Sequence, residues 1–166
     1  MASLSACFRA GVAASVDPGS GAARDRDRRA DTGIEARTLA GFAPLLCGTD
    51  DERARDRLLA LFASERWCGH PGLAAGLPPS TRPDAPEFHP RAYWRGPQWP
   101  VIGWLFRWAL RRQGLQEEAD RLRDEGLRLL AGGESGEYYQ PFTGEPLGSR
   151  HQSWTAAVAL DWEGGV

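Results

Sequence analysis

Apolar residues in this chain recur at helical steps, and no stretch keeps the strict alternation of a strand. "TLAGFAPLL" places Leu39, Phe42 and Leu46 three or four residues apart, with Pro44 marking entry to or exit from a helix. "TDDERARDRLLALFASERW" is clearer: Thr49 or Asp50 can cap it, and acids crowd its first turn. Leu58, Leu59, Leu61 and Phe62 supply its apolar side. Helix resumes near Pro97, where Ile102, Leu105, Phe106, Ala109 and Leu110 form one stripe. Arg107, Arg111 and Arg112 point elsewhere, and Gly114 is a stop. "LQEEADRLRDEGLRLLAG" is a further amphipathic helix with Ala119, Leu122, Leu129 and Leu130 inward and Gly132 and Gly133 at its end. "SWTAAVALDW" forms a last helix. The pattern predicts an all-α class with long loops.

Two segments interrupt this rhythm. The loop from Gly69 to Arg91 holds Pro71, Pro78, Pro79, Pro83, Pro86 and Pro90, a length and content typical of functional loops or mobile linkers. Residues 1–30 are mostly Ala, Gly, Ser, Arg and Asp and end in "ARDRDRRAD". So little apolar area cannot offset ordering entropy, so this segment is expected to be disordered or foreign to the folded part.

Composition narrows the function class. The 166 residues suit one domain, and a net charge of −2 gives no nucleic-acid footprint. All 20 basic residues are arginine, which reads as coding bias rather than a binding patch. Cys7, Cys47 and Cys68 have no regular spacing, which disfavours a disulfide framework and suits a reducing, cytoplasmic setting. "WCGHPG" offers Cys68 and His70 as half a metal site without a second half, so neither metal nor cofactor is expected. The start lacks the charged opening and continuous apolar block of a secretory signal, and no stretch is long enough for a membrane span.

The chemistry concentrates in two loops, "HPRAYWRGPQWP" and "GEYYQPFTGEPLG", each set beside amphipathic helices. If those helices pair as antiparallel hairpins, both loops open on the same end. Aromatic rings, a guanidinium and carboxylates together suit a carbohydrate pocket. Flat rings cover the apolar faces of a pyranose, and charged forks take hydroxyls or an anionic group. The alternative is that these rings are wedged between helices.

With these residues in view, "YWRGPQWP" followed by "EYYQPFTGEPLGS" and "SWTAAVALDW" resembles the C-terminal part of glycoside hydrolase family 63, among its mannosylglycerate and glucosylglycerate hydrolase-like α-glycosidases. "RTLAGFAPLL" and "PPSTRPDAPEF" resemble the same group, and the resemblance covers roughly Asp31 to Trp162. It implies a partial (α/α)6 toroid over residues 31–166, a carbohydrate substrate, and inversion by an aspartic general acid with a glutamic general base.

The base falls on Glu137, while Glu145 is a loop carboxylate and Glu134 lies outside the motif. Ser135 and Gly136 depart from the family pattern and are expected to loosen Glu137. Tyr93 and Trp94 are implied to line the cleft. Arg95 either contacts substrate or anchors the turn by an ion pair, and Trp99 is either core or wall. Of Tyr138 and Tyr139, one packs and one can bond to the base. Gln152 and Trp154 can reach the cleft, with packing the alternative for Trp154. His151 reads as a surface histidine. No motif for the general acid is present; Asp84 is the only candidate in the folded part, and Asp17, Asp25, Asp27 and Asp31 lie in the segment expected to be disordered. The chain therefore reads as the C-terminal portion of an inverting α-glycosidase, inactive alone and in need of an upstream half. The alternatives are a carbohydrate-binding remnant without turnover and a structural fragment.

Overall fold

The structure, a computed structural model, describes residues 4–35, 37–49 and 51–164. Among these the molecule is mostly helical: α1 (Leu4–Ser15), α2 (Ala43–Cys47), α3 (Glu52–Ala63), α4 (Pro100–Arg112), α5 (Gln116–Leu130) and α6 (Ser153–Gly164). Two antiparallel ribbons accompany them, β1 (Asp25–Asp27) with β2 (Thr32–Ile34), and β3 (Tyr138–Tyr139) with β4 (Pro146–Leu147). These strands of two or three residues are too short to show alternation in the sequence.

The expected helices form, with local adjustments. Asp51, rather than Thr49, caps α3 by accepting the Ala54 N–H at 3.0 Å; Asp50 lies outside the described residues. Ala54, Leu58 and Phe62 form its buried side, with Leu59 and Leu61 half-buried. Pro100 occupies the first turn of α4, where its missing N–H costs nothing. Phe106, Ala109 and Leu110 are buried as the stripe predicts. Arg107 does not point away: it is buried, with Nη1 3.3 Å from the Asp161 carboxylate, and burial pulls its pKa below the ordinary guanidinium value. An acid on α6 thus turns an expected surface cation into an interhelical pair.

The core gathers where α2, α3 and α4 meet the loop after α3. Phe42 lies edge-on to Phe62 at 4.9 Å and to Trp67 at 4.8 Å, and Phe62 packs on Phe106 at 5.2 Å. α4 and α5 run as a hairpin through Gly114, and α6 packs against both, with the buried Trp162 indole seated on Gly126. The proline-rich loop is part of this body, not a mobile linker. Ala75, Leu77, Ser80, Thr81 and Ala85 are buried, and the Gly76 N–H donates to the Glu125 carboxylate on α5.

Residues 1–30 correct the sequence reading most. From Leu4 onward they form α1 and the first ribbon strand instead of a disordered tail. Asp17 accepts from the Ser20 N–H at 2.9 Å and hydroxyl at 2.8 Å and pairs with Arg24 at 2.9 Å. Ala22 is buried, and the Ala23 N–H donates to the Gly41 carbonyl at 2.8 Å. Small residues here let the backbone itself reach the body, so hydrogen bonds replace the apolar area that composition lacks. Among the described residues no helix is long and apolar enough to cross a membrane.

Candidate active site

Two loops meet through Gln98. Its backbone N–H donates to the Tyr139 carbonyl at 2.9 Å, and its carbonyl accepts the Tyr139 N–H at 2.8 Å. Its fully buried side-chain amide donates to the carbonyls of Ala75 (2.7 Å) and Leu77 (2.6 Å). One residue therefore stitches the proline-rich loop, the loop before α4 and the β3–β4 ribbon into one platform. Sequence reasoning passed over Gln98 because nothing local marks a glutamine as buried.

On this platform the aromatic residues form an ordered set. Trp99, at the start of α4, is buried and stacks on Trp94 at 4.3 Å with 5° between planes, and on Tyr138 at 4.9 Å with 25°. Tyr93 stands edge-on to Trp94 (6.1 Å), Trp99 (4.8 Å) and Tyr138 (5.1 Å). The Trp99 indole N–H donates to the Tyr93 carbonyl at 3.2 Å and holds that loop down. Trp99 is thus core and wall at once, while Trp94 and Tyr93 keep about half their surface exposed. Offset stacking and edge-to-face contact are the preferred geometries of such rings.

Glu137 sits against this wall. The Tyr93 hydroxyl donates to its Oε1, and the Ser149 N–H donates to its Oε2 at 3.2 Å. The bond to Glu137 is also the main reason the Tyr93 phenol is raised above its ordinary value. Gly148, at φ 73°, passes directly beneath: a side-chain carbon there would lie 2.7 Å from Glu137 Oε2 and 2.6 Å from the Tyr138 ring. The tyrosine bonding to the candidate base is therefore Tyr93, and neither Tyr138 nor Tyr139 does so. Tyr138 stacks. Tyr139 is buried, and its hydroxyl accepts the Gly136 N–H at 3.0 Å and donates to the Glu134 carbonyl at 2.6 Å.

Gly136 does not loosen the site. Besides that bond, the buried Thr155 hydroxyl donates to its carbonyl at 2.7 Å, and the Glu137 N–H donates to the Leu147 carbonyl at 3.0 Å. A side-chain carbon at Gly136 would lie 2.7 Å from Pro146, so the glycine permits the approach that fixes it. Thr155 had no sequence signal beyond its place in an apolar helix.

The remaining expected residues lie apart from this cluster. Arg95 lines an open groove of about 610 Å³ with Ile34, Arg37, Glu87 and Trp94. Gln152 and Trp154 stand at the start of α6. Among the described residues neither shares a ring contact with the wall, and Gln152 instead gives its N–H to the Ser135 carbonyl at 2.7 Å. His151 is exposed, with φ 56°, in the turn before α6. Glu145 forms a two-pronged pair with Arg91, at 2.5 and 3.1 Å, which holds its carboxyl below the usual range. Asp84 is engaged by Arg66 and Arg82. Asp17 is committed to Ser20 and Arg24, and Asp31 to Arg26.

A carboxylate with both oxygens engaged, fixed at the foot of a stacked aromatic wall, is an arrangement that fits glycoside chemistry. Residues 2–155 match the mannosylglycerate hydrolase MGH1-like glycoside hydrolase domain, and the chain belongs to that family. It is 56% identical over 160 residues to a glucosylglycerate hydrolase of Mycolicibacterium hassiacum, covering 95% of this chain and 35% of that one. A mannosylglycerate hydrolase of Thermus thermophilus is 41% identical over 129 residues, 78% of this chain and 30% of the other. The fold superposes on the crystal structure of a GH63 mannosylglycerate hydrolase from Thermus thermophilus in complex with glucose, with a TM-score of 0.79 at 38% identity, covering 93% and 36% of the two chains. The resemblance to the C-terminal part of glycoside hydrolase family 63 holds, and the chain spans about a third of the length of the relatives it matches.

Proposed function

We propose that this chain is the general-base portion of an inverting α-glycosidase whose substrates are small α-glucosides or α-mannosides such as glucosylglycerate or mannosylglycerate. Glu137 takes a proton from water on the face of the sugar opposite the leaving group. Trp94 and Tyr93 offer their exposed surface to the ring, backed by Trp99 and Tyr138. Arg95, which lines the groove beside Trp94, borders this wall, while Gln152 and Trp154 at the start of α6 are assigned to the cleft by the family pattern alone. The observation that carries this reading is Glu137 held by Tyr93 and Ser149 against the stacked wall, in a chain whose relatives act on these glycosides.

Inversion needs a second carboxyl group about 6.5–9.5 Å away, leaving room for the water. Asp17, Asp31 and Asp84 are each engaged in ion pairs of their own, and Asp25 and Asp27 belong to the β1–β2 ribbon. On the family pattern the proton donor to the leaving oxygen belongs to the upstream portion of the family domain, which would also close the (α/α)6 toroid. The free cysteines Cys7, Cys47 and Cys68 fit a reducing, cytoplasmic setting.

Complementing the chain with the remaining two-thirds of a family domain and replacing Glu137→Gln tests the role. Turnover of glucosylglycerate should fall by about 10²–10⁴-fold, the span general-base catalysis contributes, while calorimetric binding persists. Retained turnover removes the base assignment. Anomer-inverting hydrolysis by the 166-residue chain alone removes the need for a second portion.

A further inference from the structure

We propose that Thr155 is a positioning residue for Glu137: its buried hydroxyl fixes the peptide plane from which the carboxylate projects. The role of Glu137 itself rests on the reading above, but the placement of its side chain does not.

The peptide unit joining Gly136 to Glu137 is gripped at both polar ends. Its carbonyl accepts the Thr155 hydroxyl at 2.7 Å, and its N–H, which belongs to Glu137, donates to the Leu147 carbonyl at 3.0 Å. The preceding N–H, of Gly136, is held by the Tyr139 hydroxyl at 3.0 Å. A glycine before the acid would otherwise leave the backbone free to swing, since it can adopt conformations closed to other residues. Pinning the plane sets the direction of the Glu137 Cα–Cβ bond, and Tyr93 and Ser149 then meet the carboxylate where it arrives.

Thr155 suits this task for three reasons. It is fully buried, so water does not compete for the Gly136 carbonyl. Its branched Cβ restricts rotation, so the hydroxyl keeps its direction. A threonine within a helix commonly bonds back to a carbonyl of the preceding turn, whereas this one reaches across to another segment, 19 residues earlier in the chain. α6 thereby connects the packing of Trp162 and Val158 in the core to the orientation of one carboxylate.

The Tyr93 phenol reports that orientation without turnover, because its hydrogen bond to Glu137 is the leading cause of its raised titration. In the 166-residue chain carrying ¹³Cζ-labelled tyrosine, with signals assigned through Tyr93→Phe, Glu137→Ala, which removes both the charge and the acceptor, sets the lower limit of the Tyr93 titration. Thr155→Val keeps the volume and removes the hydroxyl; Thr155→Ser keeps the hydroxyl. The Val variant should move the Tyr93 midpoint toward the Glu137→Ala value by at least about half a pH unit, and the Ser variant should stay with the parent chain. Should Thr155→Val fail to fold, Thr155→Ala carries the same comparison. A folded variant without the hydroxyl but with an unchanged Tyr93 midpoint overturns the proposal, because the residue then only stabilises. A Ser variant that shifts as far as Val also overturns it. None of these readouts involves hydrolysis, so a failed base assignment for Glu137 and a failed Thr155 assignment give separate results.

Discussion

The corner around Glu137 and the segment from Leu4 to Glu35 are joined to the same body in opposite ways. At the corner, Trp99, Gln98, Tyr139 and Thr155 are all nearly or fully buried, and each also gives a directed hydrogen bond to a backbone carbonyl, those of Gln98 and Thr155 reaching another segment. In the leading segment, among the residues whose burial is described, Ala22 is the buried apolar one, while Phe8 is 67% and Ile34 51% exposed. Burial and hydrogen bonding thus coincide where a carboxylate must be held, and separate at the margin. Leu160, 70% exposed on α6, is likewise open to water. That contrast separates a tightly held corner from a loosely covered margin.

The contrast breaks first at Trp99 if it is wrong. Trp99→Ala removes the ring sandwiched between Trp94 and Tyr138 and the bond to the Tyr93 carbonyl. Thermal unfolding should show a loss of about 3–5 kcal/mol, with near-ultraviolet dichroism of the aromatic cluster collapsing as well. A loss below about 1 kcal/mol would mean that the wall is not part of the core. Gln98→Leu comes next. It leaves the carbonyls of Ala75 and Leu77 without their donor, at a cost of about 1–3 kcal/mol, since the loop can readmit water to one of them. Hydrogen exchange should quicken in the proline-rich loop and in β3 together; quickening in only one would show that Gln98 does not couple them.

How much of this was visible in the chain follows from the physics of each element. The stripes of α3, α4 and α5 were legible because each buries one face against a neighbour and keeps the other wet, with Arg107 the exception, drawn in by its pair with Asp161 on a helix distant in sequence. Glu137, Tyr93, Trp94, Trp99 and Tyr138 were legible through a family pattern, and the structure brings these five together. Gln98 and Thr155 were not, because a buried polar residue is recognisable only through the groups it satisfies, and those lie 19 to 23 residues away. The leading segment misled for the converse reason. Its order rests on backbone bonds through Gly21, Ala22 and Ala23, which leave no apolar signature. Arg95, Gln152 and Trp154, expected at the cleft, lie outside this cluster of five.

At the margin, Phe8→Ser should change stability by no more than about 0.5 kcal/mol, since the ring is already in water. A loss matching that of Trp99→Ala would show that α1 is as deeply integrated as the corner. Solubility of the chain should rise in the same variant if the open apolar surface drives association.

The finest test compares the two regions through acid. Hydrogen bonds from Ser20 lower the Asp17 carboxyl, and the bond from Arg91 lowers that of Glu145. A folded-state pKa below the unfolded one means that each carboxylate stabilises the fold fully above the unfolded value, near 4. That contribution fades as pH falls through the lower folded value. Melting temperatures of the parent chain, Asp17→Asn and Glu145→Gln between pH 7 and 3 should therefore converge toward the acid end, because protonation does to the parent what substitution did to the variants. Glu145 is half open to solvent, and Asp17, though its side chain is only 13% exposed, is paired with a half-exposed Arg24, so the differences are small and shrink further with added salt. Curves that stay parallel down to pH 3 would show that neither carboxylate is held as described. Convergence for Glu145→Gln alone would confine the ordered carboxylates to the Glu137 side of the molecule and leave the leading segment tethered by its backbone.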